Sequence, residues 1–417
     1  RPQLPLALAP APVPPPASVA RRVAAVPRQP GSPGALAKFR GSLAEAKRLR
    51  ESFGERMTTA HTWQDQGPLR EALALLLDCE HGMMSTYGDG ADGLRLTAEE
   101  LRLFLDVLDA LASLYDDLDD APNAVRYFGR LIDYDRCSLV RRTNATLEYE
   151  YCSGRLFSRS IILHRHRLQR PDLAQRLYQR AVEKTFNGER VHWWPDAWQV
   201  PTLYMRGLRS LPHWDRPEEL PLAVALEENF AALRREFLEV LAHPSYRGAF
   251  SQNDHSLITA GTWGELKLYD GKEWRPPCRV AAETCSLLSK QLQLVGKLPS
   301  SRTHNVHLPK EAGYFKLLPG SRLKPHTGPV NFHLYCHLGL VVPPGPWLRV
   351  GSGEPRKWQE GKALCFDDSF DHEAWHDGQE PRYVLMVTFW HPDLGTPELD
   401  PAAPKPPASR RARGRRR

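Results

Sequence analysis

Long apolar runs are missing from this chain. None of its 417 residues lies in an uninterrupted apolar stretch of 18, so no membrane-spanning helix is expected. The chain does not begin with Met, so a membrane anchor or signal ahead of it is left open, outside this sequence. Cysteine is sparse: seven residues, widely spread, do not make a disulfide scaffold. Acid is absent from residues 1–43, which hold six Lys or Arg, and the residues after Asp400 add seven more basic side chains. Setting those thirteen aside from a net charge of +7 leaves the middle near −6. A folded part with that balance offers no basic nucleic-acid surface.

What is present falls into four stretches. Residues 1–41 are rich in Pro and Ala and read as a disordered segment, either a linker or, being Arg-bearing and acid-free, something like an organelle transit peptide. Residues 42–215 carry helical periodicity. Leu108, Leu111, Ala112 and Tyr115, followed by Ala124 and Phe128, have the small-and-large spacing of a tetratricopeptide repeat, and Ala174, Tyr178 and Ala181 repeat its second helix. Generic helical hairpins account for the same spacing. His164 and His166, flanked by arginines, read as a solvated basic face; His192, Trp193 and Trp194 read as a packing site, and residues 211–220 as a linker. The sequon at Asn144 is too common by chance to decide anything. Residues 397–417 form a basic, disordered tail that could touch nucleic acid or an anionic membrane.

Residues 216–396 read as a β-rich domain. It opens with one helix, whose Leu226, Phe230, Leu233, Phe237 and Leu241 make an apolar stripe with Glu227, Glu228, Arg234, Arg235 and Glu239 outward. A strand at Trp263–Tyr269 ends in the hairpin signal Asp270-Gly271, a short helix spans 284–294, and strands follow at 313–318, 347–350 and 363–366. Alternation is clearest at Asn331–Leu340, where Phe332, Leu334, Cys336, Leu338 and Leu340 share one face and His333, Tyr335 and His337 the other. From Arg382 the pattern recurs, with Tyr383, Leu385, Val387 and Phe389 opposite Arg382, Val384, Met386 and Thr388.

Two imidazoles stand where strands meet turns: His326 in Lys-Pro-His-Thr-Gly-Pro, and His372 after Phe-Asp-Asp-Ser-Phe-Asp. Neutral imidazoles on neighbouring strands suit Fe(II) or another borderline divalent metal. The usual carboxylate of a two-His, one-acid triad would stand two residues after the first His, and that residue is Gly328. Asp367 and Asp368 read as caps on turn amides.

His326-Thr-Gly-Pro, then His337-Leu-Gly-Leu, Phe366-Asp-Asp-Ser-Phe-Asp-His372-Glu, Arg382 and Trp390-His-Pro follow one another in order. The run resembles the aspartyl/asparaginyl β-hydroxylase family of Fe(II)- and 2-oxoglutarate-dependent dioxygenases, in which a glycine replaces the acidic ligand. The resemblance implies His326 and His372 as metal ligands and, with Arg382, as the catalytic set. It also implies Arg382 on the distal carboxylate of 2-oxoglutarate and His337 near the other carboxylate, with Tyr335 and Val384 completing the cosubstrate pocket. O2 would be the oxidant, ascorbate a help in vitro, and the product a β-hydroxylated Asp or Asn side chain of a protein substrate. Tyr335 stands where the family has an arginine, and Phe315 where it has a serine. The family also implies a Cys278–Cys285 pair, hence an oxidising compartment such as the endomembrane lumen; free thiols in an organelle or the cytoplasm are the alternative.

The expected architecture is therefore α+β: a C-terminal double-stranded β-helix (jelly-roll, cupin-like) domain preceded by an all-α tetratricopeptide-like region. The rival readings are an inactive scaffold or peptide-binding protein and a lipid acyl-chain hydroxylase. The sequence leaves the oligomeric state undetermined.

Overall fold

A computed structural model of the chain describes residues 33–59, 66–87, 96–139, 145–253, 255–294 and 311–394. Residues 1–32, the tail and Asn144 of the sequon lie outside the described residues. The expectation of disorder to residue 41 needs correction, because helix α1 (Pro33–Thr59) begins at Pro33. Proline's fixed φ suits a first helical turn, and Phe39, Leu43, Ala46, Leu49 and Phe53 bury one stripe of that helix.

Five more helices complete the first layer: α2 (Gly67–Tyr87), α3 (Ala98–Asp117), α4 (Ala121–Asp133), α5 (Ala145–Ile162) and α6 (Pro171–Val182). Thr97 and Glu100 form a capping box at the start of α3. Leu108, Leu111 and Ala112 of α3 and Ala124 and Phe128 of α4 are buried in a common core, where Tyr115 stacks on Tyr127. Ala174, Tyr178 and Ala181 are the buried residues of α6. Between α5 and α6, Leu163–Arg167 form a π-turn in which Leu168 N donates to Leu163 O at 3.0 Å. A two-stranded hairpin follows, β1 (Thr185–Phe186) and β2 (Glu189–Arg190).

Two antiparallel sheets make the second part. Their strands are β3 (Ser251–Gln252), β4 (Ile258–Ala260), β5 (Trp263–Tyr269), β6 (Ala312–Leu317), β7 (Arg322–His326), β8 (His333–Val341), β9 (Pro346–Val350), β10 (Ala363–Phe366), β11 (His372–His376) and β12 (Arg382–Trp390). The larger sheet runs β10-β8-β12-β6-β5-β3 and the smaller β4-β7-β11-β9. Antiparallel sheets facing each other over a shared core fit a jelly roll. That core holds Phe315, Leu317, Val384 and Met386 from the larger sheet and Leu323, Leu348, Val350 and Ala374 from the smaller.

The alternation of β8 and β12 is obeyed. Leu334, Cys336, Leu338, Leu340, Leu385, Val387 and Phe389 face outward into a second core covered by helices. The single helix expected there is two, α7 (Pro221–Glu228) and α8 (Phe230–Ala242), broken where Asn229 leaves helical geometry at φ −100° and ψ 9°. Nor is its polar side wholly outward: Glu227 binds Lys362 and the Ala363 amide, and Arg234 donates to Leu340 O. Buried Glu236 of α8 accepts from the Glu283 and Thr284 amides and the Thr284 hydroxyl, pinning the N-terminus of α9 (Ala282–Leu294) where a carboxylate opposes the helix dipole favourably.

Two further readings change. Residues 211–220 are not a free linker, since Trp214 N donates to Cys365 O and His213 bridges Phe366, extending the edge at β10. Cysteine contributes more than its spread suggested: Cys278–Cys285, Cys137–Cys152 and Cys336–Cys365 are bonded, and Cys79 is free and buried. The third pair is set by register, which places Cys336 opposite Cys365. After Asp270-Gly271 the chain turns back only as far as a bridge from Tyr269 to Trp274 and then enters α9; β5 pairs instead with β3 and β6.

Candidate active site

The inward face of the barrel encloses a cavity of about 330 Å³ lined by, among others, His326, His337, Tyr335, Trp358, Asp368, His372 and Arg382. His326 ends β7 and His372 begins β11; the register sets them directly opposite, with ring centroids 4.1 Å apart. The Nδ1 of each is held by the carbonyl two residues earlier, Lys324 O for His326 and Phe370 O for His372, both at 2.8 Å. A carbonyl can only accept, so Nδ1 carries the proton and Nε2 keeps its lone pair. Burial pushes both imidazoles down to about 4, so they are neutral at pH 7. Carbonyl-oriented neutral imidazoles are the arrangement in which histidines ligate metals, so this pair fits a divalent ion of the iron class.

A second group sits deeper. Arg382, the first residue of β12, is 3% exposed and lies over Trp358 at 4.5 Å. Among the described residues its buried Nε and Nη1 have no hydrogen-bond partner, and burial lowers its pKa to about 9, leaving it charged at pH 7. A buried, unpaired guanidinium fits a carboxylate ligand, which its planar fork binds through two bonds. Trp358 Nε1 donates to His337 Nδ1 at 3.2 Å. His337, kept neutral by burial and by Arg382, therefore carries its proton on Nε2, a second buried donor with no partner among the described residues. Both orphans suit a dicarboxylate such as 2-oxoglutarate. Tyr335 is raised well above its ordinary value by burial and by Asp368, Glu311 and Glu265, so it enters the cavity as a neutral phenol.

Gly328 lines the same cavity, and a Cβ there would find all three atoms of the Asp368 carboxylate within 2.7 Å. Asp368 is thus no turn cap: its carboxylate occupies the room a side chain at 328 would need, against His333 Nε2 at 3.1 Å. Asp367 does cap, accepting from Ser369 N at 2.9 Å.

The helical layer reaches the same two histidines. Asp371, immediately before His372, is fully buried and contacts Arg165, His166 and Arg349. Burial alone would raise its carboxyl, but His166, Arg349 and Arg165 hold it below the usual carboxylate range. His166 is therefore no solvated face, and His164 Nδ1 is tied to Ser160 O. Both imidazoles lie on the π-turn, and it is His166 that reaches the barrel, at Asp371. His192 is buried as expected of a packing residue, hydrogen-bonded to Ser153 and stacked on Trp194.

The structure brings together His326, His372, His337, Arg382 and Tyr335. It does not bring Val384 to the cavity surface: Val384 packs in the wall opposite Phe315, which also stays in the inter-sheet core. Trp358 and Asp371 went unread in the sequence. Asp371 had a signal, its place next to His372; Trp358 had none, because it lies outside every strand.

Residues 227–392 match the family model for aspartyl/asparaginyl β-hydroxylase. Over this segment the chain is similar to the aspartyl/asparaginyl β-hydroxylase family. Mouse aspartyl/asparaginyl β-hydroxylase is 32% identical over 230 residues, 52% of this chain and 29% of that protein. Human aspartate β-hydroxylase domain-containing protein 1 is 34% identical over 200 residues, 47% of this chain and 48% of the relative. The chain thus spans under a third of the length of the first and about half of the second. A prolyl-4-hydroxylase from Pseudomonas putida aligns with 98% of its length to 41% of this chain at 11% identity and a TM-score of 0.27, too slight a likeness to argue from. Every cavity residue named above lies inside the β-hydroxylase segment, whereas Asp116, Arg159, Arg165 and His166 lie outside it.

Proposed function

We propose that this chain is an Fe(II)- and 2-oxoglutarate-dependent dioxygenase that hydroxylates an unactivated C–H bond, the β-carbon of an Asn or Asp side chain in a protein partner. One observation carries the reading. A single cavity holds two neutral, carbonyl-oriented imidazoles together with a guanidinium that has no acid partner among the described residues. His326 and His372 would hold the iron through Nε2. Arg382 would take the distal carboxylate of 2-oxoglutarate, and His337 Nε2–H the carboxylate nearer the metal. When bound, iron and cosubstrate supply the activation of O2 and the oxidation of the C–H bond.

The remaining work belongs to the chain. Trp358 fixes the tautomer of His337 and packs its ring against the Arg382 guanidinium. Leu323, Leu348, Phe366 and Met386 wall the cavity and exclude water, which protects reactive chemistry from quenching. With Arg382 committed to the cosubstrate, the remaining acidic or basic side chains among the described lining residues, histidines aside, are Glu311 and Asp368, both acidic and both near Tyr335. That favours a neutral asparagine amide over an aspartate carboxylate. The helices of the first layer act as a tetratricopeptide-like scaffold for the partner, and the three disulfides support an oxidising compartment such as the endomembrane lumen.

Succinate release from 2-oxoglutarate with Fe(II) and ascorbate tests the reading, with and without Asn- and Asp-containing peptides. Turnover is expected in the wild type and lost in His326→Ala and Arg382→Ala. A folded, metal-loaded wild type that never forms succinate would refute the enzyme and leave a scaffold.

A further inference from the structure

The two candidate iron ligands sit on strands whose neighbouring residues are anchored, at both places, by charged groups of the helical layer. Toward His326 the anchor is Asp116 at the end of α3. Arg159 of α5 bonds Asp116 through Nη2 at 2.6 Å and donates through Nη1 to Pro325 O at 2.9 Å. Lys324 Nζ donates to Asp116 O at 3.0 Å, and Lys324 is also the residue whose carbonyl orients His326. Toward His372 the anchor is the π-turn. Arg165 reaches Asp371 Oδ2 at 3.1 Å and Ala197 O at 2.7 Å, and His166 Nε2 closes on the same carboxylate oxygen. Asp371 N in turn donates to Trp198 O at 2.7 Å, and Trp198 has the Arg165 guanidinium 4.0 Å above its ring.

We infer that the helical layer is part of the metal site: through Asp116–Arg159 and Arg165–His166–Asp371 it positions His326 and His372 for the ion. The inference rests on the metal-binding reading of those two histidines. The physical argument is one of coordination number. A site with only two protein ligands cannot be shaped by a third, so the separation and tilt of its two rings depend wholly on the strands that carry them. Each strand meets the histidine at its end, where a sheet ladder restrains least, and each end is tied instead to an ion cluster, buried at Asp371 and Lys324 and partly buried at Asp116–Arg159. These clusters cost desolvation, which stabilising the fold alone would not need. A π-turn in mid-helix, a feature that recurs at functional sites, brings Arg165 and His166 within reach. Arg165, His166, Arg159 and Asp116 are positioning residues: they touch neither metal nor cosubstrate.

The test uses the full chain and Co(II), whose d–d absorption reports affinity and geometry without turnover. Asp371→Asn and Arg165→Lys are compared with Arg180→Ala, which removes an exposed ion pair to Asp133 in the same layer. Asp371→Asn and Arg165→Lys should weaken Co(II) binding roughly 10- to 100-fold, the range for losing an outer partner of a metal ligand. Their Co(II) spectra should shift, while Arg180→Ala binds as wild type does. If Asp371→Asn does not fold, His166→Gln supplies the same comparison at smaller perturbation. Co(II) affinity and spectrum unchanged in variants that melt earlier would overturn the inference and make the clusters mere fold contacts. A folded wild type that binds no Co(II) would overturn the metal reading itself, and this inference with it.

Discussion

Gly328 offers the sharpest check on the geometry of the site. Restoring the acid of a two-His, one-carboxylate triad, Gly328→Asp, should fail as a repair, and even Gly328→Ala should be destabilising. A Cβ at 328 finds the Asp368 Oδ1, Cγ and Oδ2 atoms all within 2.7 Å, far inside ordinary contact, and neither side can yield cheaply. Gly328 N is bonded to Asp368 O at 2.6 Å, which ties the two backbones together, and Asp368 is only 3% exposed. Overpacking a tight interior costs about 1–3 kcal/mol, so Gly328→Ala should lose that much in urea unfolding of the metal-free protein. Asp368→Ala removes the obstructing atoms. In the double variant most of the Gly328→Ala cost should therefore vanish, giving a coupling energy of about 1–3 kcal/mol, the scale seen for residues in contact. Gly328→Asp should lose Co(II) affinity, and Gly328→Asp with Asp368→Ala should recover it. Gly328→Ala as stable as wild type, or a cost that persists unchanged without the Asp368 carboxylate, would refute the claim that Asp368 fills the place of the missing ligand.

Other outcomes are open to simple measurements. Tyr335→Arg puts a cation beside Asp368 and should move the preference from Asn- toward Asp-containing peptides by about tenfold or more in kcat/KM; equal loss on both peptides would count against a selecting role. His192 is fully buried, with burial and the nearby Arg190 and Lys184 pushing it down to about 3. A histidine depressed in the folded state takes up protons only on unfolding, so stability is lost as pH falls below about 6.5 toward 3. Between pH 7 and pH 4 that amounts to about 3 kcal/mol from this residue. His192→Gln should flatten the acid limb of the stability curve by a comparable amount, and an unchanged limb would show that His192 is not protonated on unfolding there.

Local chemistry settled a good part of this protein before any contact was known. Period-two alternation at 332–340 and 382–389 assigned the faces of β8 and β12, because neighbouring side chains on a strand must point to opposite sides. His326, His372, His337 and Arg382 stand out in the sequence as members of short, ordered motifs, and the structure gathers them around one cavity. Burial of the α3–α4 stripe followed from helical spacing alone. Other features depended on where distant segments meet. No spacing rule links Asp368 to Gly328, 40 positions earlier; only the approach of two strand ends puts a carboxylate in the space of an absent side chain. Arg165 and His166 looked like exposed charge because their acid lies 205 residues or more away in sequence, and a π-turn, which periodicity does not reveal, aims them at it. Cys336 and Cys365 became partners through register, and Val384 and Phe315, on the inward face, are taken up by inter-sheet packing rather than by the cavity lining. Sequence determined which side chains could do the chemistry, since that is a property of residue type and local period. Tertiary structure alone decided which of them share one buried volume, since that depends on contacts between segments far apart in the chain.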